Sequence, residues 1–570
     1  MRKRVHQNGL TVQAIAGTHA VLLGIDVDDI STFTGLGFAI RRTDHTEDEE
    51  YWLRGMKVFP SVVAHPAPGQ NYSLDEHPVQ GFQWGDYTAK PDHDYTYRVV
   101  VLQGTASALE KGARADVRVQ TEPEDDGIHG VWFNRGVAAS QAWNAKFGPP
   151  GEELDNPGSS AWTWLSRGLA EAFLATVATA EDSSWGLRGA FYEFTWKDGL
   201  RAFAEAARTR NVDVKLVVHG RDRDPVGATD DDDTTAASGR TAASAAGITQ
   251  LVTWRSSPNK SSLQHNKFLV LLHKGKPTAV WTGSTNLTEG AIFGHSNVGH
   301  LVHDPDIAAA YLAYWEQLHS DTETAELRDW IETENPLLPR RPVTVFSPRN
   351  TRSSLLDDYA ELFDSAGSSA HLTGAFGINQ VFRDKLTVAK DYPRTVLLDK
   401  KPARGKEIRT GDDNVRVVWG APLTSQLDQW AAERLTGFNP HVPYVHLKVA
   451  LIDPLTDHPA LLTGSANYSD ASTSSNDENT LMLEVDENSP ATTADAVKRV
   501  SDIYLTEYTR IFTHHVFRAY SRPGAPDLVS TGNRSLTEDG SWVKKYRTGW
   551  RANQRMLFAG TRKISDDHAP

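Results

Sequence analysis

Apolar and aromatic residues in the first 125 positions occur in short runs separated by turn-forming segments such as HPAPGQN and AKPDHD. Short strands at this spacing are typical of a β-sandwich. We therefore predict an immunoglobulin- or fibronectin-like accessory domain over residues 1–125. The predicted strands are Val12–Asp26, Gly35–Arg42, Tyr51–Phe59, Gln80–Tyr87, Tyr95–Gln103 and Ala113–Thr121.

From about residue 126 the pattern changes to strands that alternate with amphipathic helices. Residues 159–180, for example, carry Leu165, Leu169 and Phe173 at helical spacing and predict a helix. Strands are predicted at Val131–Phe133, Leu187–Phe194, Val212–Val218, Ile248–Trp254, His371–Ile378, Thr395–Asp399 and Val415–Gly420, and further helices at Asp198–Thr209, Asp306–His319, Ser353–Ser365 and Gln380–Lys390.

The order of these elements repeats along the chain. The tripeptide Gly-Ala-Phe occurs at 189–191 and again 185 residues later, at 374–376. A long, nearly constant offset indicates a duplicated unit. We therefore predict two α/β/α halves, 126–340 and 341–520, packed pseudo-symmetrically, each with a mixed and mostly parallel sheet flanked by helices.

Two segments lie outside this scheme. Residues 229–240, TDDDDTTAASGR, are acidic and of low complexity, which predicts a solvated loop. Residues 521–570 form a carboxy-terminal extension in which basic residues are interleaved with Trp and Tyr. This mixture suits contacts with phosphates and bases, but it equally suits an amphipathic edge that packs through its aromatic rings.

The composition excludes several classes of protein. The chain has no cysteine, which excludes a disulfide framework and thiolate metal sites. The net charge of −14 argues against a protein that coats DNA, although a local basic cleft is compatible with a nuclease. No apolar run is long enough for a transmembrane segment and no signal-peptide core is evident, so we expect a cytoplasmic protein.

Two segments of the chain carry the same chemical groups at the same spacing. They read QHNKFLVLLHKGKPTAVWTGSTN at 264–286 and VHLKVALIDPLTDHPALLTGSAN at 445–467. In both, Lys follows His by 2 residues, Gly by 18 and Asn by 21. The matched pairs are His265 and His446, Lys267 and Lys448, Gly283 and Gly464, Ser284 and Ser465, and Asn286 and Asn467.

These groups suit the binding of a phosphate. In a strand, residues two apart point to the same face, so each His lies beside its Lys. Ser284 and Ser465 can donate hydrogen bonds to phosphate or hold the motif loops, and Gly283 and Gly464 let the backbone approach a ligand closely.

The paired segments resemble the HxK…GSxN signatures of the phospholipase D superfamily, over about residues 130–520. The second segment is complete, since Asp453 closes HxKxxxxD, whereas Leu272 stands at that position in the first. The spacing of Asp453 is odd relative to the His/Lys face, which favours a role in supporting the fold. The resemblance implies a metal-independent phosphodiesterase that needs no cofactor and forms a covalent phosphohistidine.

Each half supplies one histidine, so we predict one active site at the seam between the halves. One histidine attacks phosphorus, and the other protonates the leaving oxygen and later activates water. Lys267, Lys448, Asn286 and Asn467 neutralise the oxygens of the phosphate. Because both motifs are in one chain, no obligate protein partner is implied.

The two histidines are predicted to be unequal. The second half contains Glu478 in a segment that resembles the family's NxEN, whereas the first half has Gly299 at the position taken as equivalent. A carboxylate on the second ring nitrogen favours a nucleophilic imidazole. If Glu478 serves the histidine of the opposite half, as the resemblance to bacterial phospholipases suggests, His265 is the nucleophile and His446 the acid.

The substrate is predicted only as a phosphodiester, either a phospholipid or a nucleic acid. The forms TGSTNLT and TGSANYS favour the nuclease-like branch of the family. Transfer to an alcohol shares the same intermediate and stays open as a phosphatidyl-type transferase. Leu272 and Gly299 leave a third alternative, a catalytically lapsed protein that binds phosphate or nucleic acid.

Overall fold

The structure, a computed structural model, describes residues 1–66, 70–136, 146–147, 159–221, 235–256, 262–337, 343–350, 354–408, 410–420, 445–520 and 535–562. In these ranges it contains two four-stranded sheets, two seven-stranded sheets and a small two-stranded sheet. None of the helices described is long and apolar enough to cross a membrane.

The amino-terminal region folds into two antiparallel four-stranded sheets. Its strands are β1 (Arg2–Gln7), β2 (Leu10–Ala16), β3 (Val21–Val27), β4 (Gly37–Asp44), β5 (Glu49–Trp52), β6 (Arg54–Gly55), β7 (Tyr72–Ser73), β8 (Gln83–Asp86), β9 (Asp94–Thr105) and β10 (Ala108–Gln120). The orders are β1-β2-β3-β8 and β10-β9-β4-β5, and both sheets contribute to one apolar core. The predicted β-sandwich-like fold is confirmed, although the strand predicted over Val12–Asp26 is a hairpin of β2 and β3.

Two seven-stranded sheets follow, and their strand orders match one to one. The first has the order β11-β17-β16-β15-β12-β13-β14 and the second β18-β24-β23-β22-β19-β20-β21. The strands are β11 (His129–Phe133), β12 (Trp185–Phe191), β13 (Asp213–His219), β14 (Val252–Arg255), β15 (Lys267–His273), β16 (Lys276–Gly283), β17 (Val298–Val302), β18 (Thr344–Ser347), β19 (Ala370–Gly374), β20 (Arg394–Leu398), β21 (Val415–Trp419), β22 (Val449–Ile452), β23 (Ala460–Gly464) and β24 (Glu478–Glu484). This agreement supports the predicted duplication.

The sheets are mixed, but the prediction that they are mostly parallel is wrong. In the first sheet only β12, β13 and β14 pair in parallel. The motif strand β15 pairs antiparallel with β12 and forms a hairpin with β16, which pairs antiparallel with β17. The short connection between β15 and β16 permits an antiparallel hairpin, whereas a parallel neighbour needs a crossover of a dozen or more residues.

Strand register corrects the internal alignment of the two halves. Gly189 pairs with Leu269, and Leu372 pairs with Ala450, which follows Leu269 by 181 residues. Gly189 therefore corresponds to Leu372, an offset of 183, and the helices that follow these strands start with the same offset. The two Gly-Ala-Phe tripeptides are thus two residues out of structural register.

The helices are α1 (Ser160–Ser166), α2 (Leu169–Ala178), α3 (Lys197–Thr209), α4 (Thr235–Ala245), α5 (Pro305–His319), α6 (Thr324–Glu334), α7 (Leu355–Asp364), α8 (Gln380–Thr387), α9 (Asp470–Ser474), α10 (Ala491–Tyr520) and α11 (Gly549–Ala559). The helix predicted over residues 159–180 is divided into α1 and α2, because Arg167 and Gly168 adopt positive φ angles of 49° and 88°. The loop predicted over 229–240 is wrong from Thr235, where α4 begins. The aspartate run before it lies outside the described residues.

The described part of the carboxy-terminal extension packs on the sandwich. Trp542 is buried in the sandwich core, and its Nε1–H donates to the carbonyl of Gly35 at 2.9 Å. Helix α11 lies against β3, where an added Cβ at Gly24 would overlap the backbone of Phe558. These contacts favour the packing role among the two considered for this segment.

The two seven-stranded sheets meet in a shared core. One buried apolar cluster contains residues from β15 and β16 of the first half and from β22 to β24 of the second, together with α5 and α10. Across this seam, Asn479 Nδ2 donates to Asn266 Oδ1 at 2.8 Å, and Thr282 donates to Asn479 at 2.7 Å. Both motif strands therefore end at one interface.

Candidate active site

His265 lies directly before β15 and is held by the second half of the chain. Its backbone N–H donates to the carbonyl of Asp477 at 2.9 Å, and its Nδ1 lies 2.8 Å from Glu478 Oε2. Both side chains are buried. A carboxylate oxygen only accepts, so this bond fixes the proton of the neutral ring on Nδ1 and leaves a lone pair on Nε2.

His446 is held in the mirrored way by the first half. Its backbone N–H donates to the carbonyl of Ser296 at 3.1 Å. Its Nδ1 lies 3.0 Å from the carbonyl oxygen of Ser284 and 3.0 Å from Asn297 Oδ1. The Asn297 amide is oriented by its own Nδ2, which donates to the carbonyl of Ala291 at 2.9 Å.

The structural counterpart of Glu478 is Asn297, and the predicted equivalence with Gly299 is wrong. Gly283 pairs with Gly299, whereas the equivalent Gly464 pairs with Thr480, which places Asn297 opposite Glu478 at the motif offset of 181. A side chain at position 299 would overlap the indole of Trp281. Both histidines therefore have an oxygen acceptor at Nδ1, a carboxylate for His265 and an amide for His446.

The two motif lysines are buried beside the histidines. Each Nζ donates to the backbone carbonyl of the histidine two residues earlier, at 2.7 Å for Lys448 and similarly for Lys267. Burial lowers the pKa of Lys267 to about 8, against the attraction of Glu478 and Glu193. Burial and the neighbouring Lys267 hold the pKa of Lys448 well below its usual range. An anion bound between the two ammonium groups would relieve this repulsion.

Both histidines are neutral at neutral pH in the free protein. Burial lowers the pKa of His265 to about 4, with Lys267 and Lys448 acting in the same direction and Glu478 opposing them. Burial holds the pKa of His446 well below its ordinary value, and Lys448 and His295 lower it further. Since a bound phosphate anion stabilises cations nearby, it favours protonation of the site.

The Gly-Ser pairs hold the motif loops against the neighbouring strands. Gly283 and Gly464 have φ angles of 136° and 155°, and a Cβ at either would overlap the carbonyl oxygen of the residue opposite. Ser284 Oγ donates to Asn297 Oδ1 at 2.8 Å, and Ser465 Oγ accepts from the backbone N–H of Asn479 at 3.0 Å. These bonds lie within the protein, and contact of the four residues with phosphate stays a prediction.

Asn286 and Asn467 are buried close to the motif residues. The Oδ1 atom of each is buried and accepts no hydrogen bond within the described structure. Asn286 Nδ2 donates to Glu193 Oε2. Position 193 was not predicted from the sequence to take part in the site.

Asp453 has a structural environment. Its carboxylate accepts from the backbone N–H groups of Gly367, Ser368 and Ser369 at 2.7, 2.6 and 2.8 Å, in the turn before β19. The equivalent Leu272 is buried in the apolar core. The substitution of Leu for Asp thus changes a turn contact and leaves the His/Lys face intact.

Comparison with known proteins identifies the first half. Residues 175–319, which include the first motif, match the family described as "Cardiolipin synthase, PLD-like domain". The chain contains a phospholipase D-like domain. Among curated proteins, no sequence matches the chain.

Solved structures with similarity to the phospholipase D-like chain include three bacterial proteins. Phosphatidylserine synthase from Haemophilus influenzae has a TM-score of 0.40 and 10% identity, over 61% of this chain and 85% of that protein. Nuc from Salmonella typhimurium, a phospholipase D family member, has a TM-score of 0.21 and 23% identity, over 27% of this chain and 87% of that protein. Polyphosphate kinase from Porphyromonas gingivalis has a TM-score of 0.35 and 12% identity, over 60% of this chain, which spans about half (48%) of that protein.

Several residues of the phospholipase D-like site were not found by sequence reasoning. The offset of 181 between the motifs also relates Asn297 to Glu478, so the sequence held a signal for Asn297. His295 and Tyr192 contact the two histidines, with ring centroids 5.0 Å from His446 and 4.9 Å from His265. The ring centroid of Phe376 is 6.4 Å from that of His446. Tyr192 and Phe376 follow strands whose register is visible only in the folded sheet.

Proposed function

We propose that this protein is a metal-independent phosphodiesterase that cleaves its substrate through a phosphohistidine on His265, with His446 as the general acid and base. The observation that carries the proposal is the difference between the acceptors at the two Nδ1 atoms. Glu478 is 2.8 Å from His265, whereas Asn297 is 3.0 Å from His446. A carboxylate stabilises the positive charge that develops on a nucleophilic imidazole, and a neutral amide does so less.

In the first step, Nε2 of His265 attacks phosphorus and the bond from phosphorus to the leaving oxygen breaks. Protonated His446 donates its Nε2 proton to that oxygen, so the leaving group departs as an alcohol. The phosphorylated ring of His265 carries positive charge beside Glu478. Lys267 and Lys448 stabilise the negative charge on the non-bridging oxygens, together with the amides of Asn286 and Asn467.

In the second step, neutral His446 removes a proton from water, and the resulting oxygen attacks phosphorus. The bond between phosphorus and His265 Nε2 breaks, which restores the neutral ring of His265 and the protonated ring of His446. If an alcohol replaces water in this step, the product is a new diester. Hydrolysis and transfer therefore differ only in the acceptor.

The test is to trap and locate the intermediate. We expect mass spectrometry of acid-sensitive phosphopeptides from protein quenched during turnover to find phosphate on His265 in the presence of EDTA. His446→Ala should accumulate this phosphoenzyme when the leaving group needs no proton, and His265→Ala should form none. Phosphate on His446 in the unaltered protein would refute the assignment, and cleavage that survives both substitutions would refute the mechanism.

The substrate is tested in the same reaction with labelled single-stranded DNA, double-stranded DNA, RNA and phosphatidylcholine. Release of product from a phosphodiester by the unaltered protein, and its loss in both histidine variants, supports the proposed activity. Retention of substrate binding without any cleavage or phosphoenzyme would instead favour a binding protein with a lapsed site.

A further inference from the structure

The two sides of the candidate active site differ at one pair of structurally equivalent positions. The register of β12 and β19 gives an offset of 183, so Glu193 in the first half corresponds to Phe376 in the second. Glu193 is half-buried and accepts a hydrogen bond from Asn286. Phe376 instead is 55% exposed, a high value for a phenylalanine.

The exposed ring of Phe376 borders His446. Their centroids are 6.4 Å apart and their planes are nearly perpendicular, at 86°. Within the described part of the chain, His446 is the residue whose ring contacts Phe376. Backbone geometry favours this placement, because Gly377 follows with a φ of 93° and turns the chain immediately after the ring.

We propose that Phe376 is a specificity-determining residue that binds the leaving group of the substrate, and that this group carries a planar ring. The inference rests on the proposed function, in which the leaving oxygen accepts its proton from His446. In-line displacement puts the nucleophile and the leaving oxygen on opposite sides of phosphorus. The substituent on the leaving oxygen therefore lies on the side of His446, where Phe376 exposes its ring.

A flat ring is favoured over the other substituents that a phosphodiester can carry. A single exposed aromatic face suits stacking by a planar group, whose interaction does not depend on a particular hydrogen-bond pattern. A quaternary ammonium such as choline is recognised by a cage of several aromatic rings. Such a cage is not present around Phe376 in the described residues, whose ring contact there is with His446.

The experiment compares three methyl phosphodiesters whose second alcohol is benzyl alcohol, cyclohexylmethanol or choline. The first two alcohols have similar size and acidity, and they differ in whether the ring is flat. We expect kcat/KM for release of benzyl alcohol to exceed that for cyclohexylmethanol by about tenfold in the unaltered protein, which is the lower end of the range for ring stacking. The preference should appear mainly in KM, since stacking is present in both the ground state and the transition state.

Phe376→Ala and Phe376→Leu should both abolish the preference, whereas Phe376→Trp should retain it. Val388→Ala, which alters a side chain that is also 53% exposed, is the matched control and should leave the preference unchanged. A tenfold preference that persists in Phe376→Ala would overturn the proposal. So would a preference for the choline ester that is lost in Phe376→Ala.

The phosphoenzyme assay separates this proposal from the proposed function. Phe376→Ala should still form phosphohistidine at His265, because the ring is not part of the proton-transfer machinery. If the unaltered protein forms the phosphoenzyme but does not distinguish the benzyl and cyclohexylmethyl esters, only the role of Phe376 is refuted. If it forms no phosphoenzyme with any substrate, both proposals are refuted.

Discussion

Glu478 and Asn297 differ by one chemical group, a carboxylate oxygen in place of an amide nitrogen, and this difference distinguishes the two otherwise matched histidines. Each side chain reaches across the seam to the Nδ1 atom of the opposite histidine. Backbone bonds from His265 to Asp477 and from His446 to Ser296 place both rings similarly. Electrostatics rather than geometry therefore assigns the roles.

Glu478→Gln is expected to lower kcat by about a hundredfold or more, because the loss of a carboxylate behind a catalytic imidazole weakens stabilisation of its positive charge. The fold should persist, since Gln has nearly the same shape. Steady-state kinetics and rapid-quench measurement of phosphoenzyme formation check this expectation. Glu484→Gln, at the exposed end of the same strand, is the control and should keep full activity. Unchanged phosphorylation in Glu478→Gln would contradict the assigned role.

The pH dependence of cleavage should reveal His446 as the acid. Its pKa is held well below the ordinary value by burial, by the cations Lys448 and Lys267, and by the rings of His295 and His265. Above that pKa, the protonated fraction falls tenfold for each pH unit. For an alkyl leaving group we therefore expect kcat/KM to fall about tenfold per unit between about pH 5 and pH 7.

A p-nitrophenyl leaving group needs no proton, so its kcat/KM should be nearly constant over the same interval. Asn297→Asp adds a carboxylate beside His446, which raises its pKa and should shift the alkyl profile to higher pH. Equal slopes for the alkyl and p-nitrophenyl substrates would show that His446 does not protonate the leaving oxygen.

At the scale of elements, the sequence predicted which strands and helices exist better than how they pair. Apolar runs and the repeated motifs were sufficient for a sandwich followed by two similar α/β units, because burial determines those patterns. The recurrence of Gly-Ala-Phe misaligned the halves by two residues, since register depends on hydrogen-bonded partners distant in sequence. For this reason neither the relation of Glu193 to Phe376 nor the antiparallel motif hairpin was foreseen.

The glycine that ends β16 provides a test of how the motif loop is built. In Gly283→Ala the new Cβ would overlap the carbonyl oxygen of Val298, at a φ of 136° that disfavours side chains. We expect a loss of about 2 kcal/mol or more in the free energy of unfolding, together with reduced activity. Gly275 also has a positive φ, 75°, but has open space around it. Gly275→Ala should cost only about 1 kcal/mol, and equal losses in urea unfolding would contradict the overlap.

At the scale of the whole molecule, buried histidines connect the first sheet to the long helix α10. His129 Nδ1 lies 3.0 Å from His300 Nε2, and His300 Nδ1 lies 3.1 Å from the hydroxyl of Tyr504. Burial lowers the pKa of His129 to about 4 and holds the pKa of His300 well below its ordinary value. Asp126 and Asp304 oppose the shift at His129, and Arg499 reinforces it. Such a row is stable only while its imidazoles are neutral.

The free energy of unfolding should therefore decrease as the pH falls from about 6.5 to about 4. The unfolded chain binds protons at these histidines below their ordinary pKa of about 6.5, whereas folded His129 stays neutral down to about pH 4. Each proton contributes a slope of up to about 1.4 kcal/mol per pH unit. His129→Asn should reduce the slope measured by urea unfolding, and the exposed His45→Asn should not. An unchanged slope in His129→Asn would exclude His129 as a source of acid sensitivity.

The near-twofold arrangement of the two halves also has a consequence for regiochemistry. A diester bound across a symmetric pair of His-Lys motifs could lie in either of two orientations, and either of its ester bonds would then be cleaved. With a carboxylate behind one histidine and an amide behind the other, only one orientation presents the correct bond to the acid. An unsymmetrical diester should accordingly lose one defined alcohol, and a chain of such diesters would be cut with a fixed polarity, leaving phosphate always on the same side of the break.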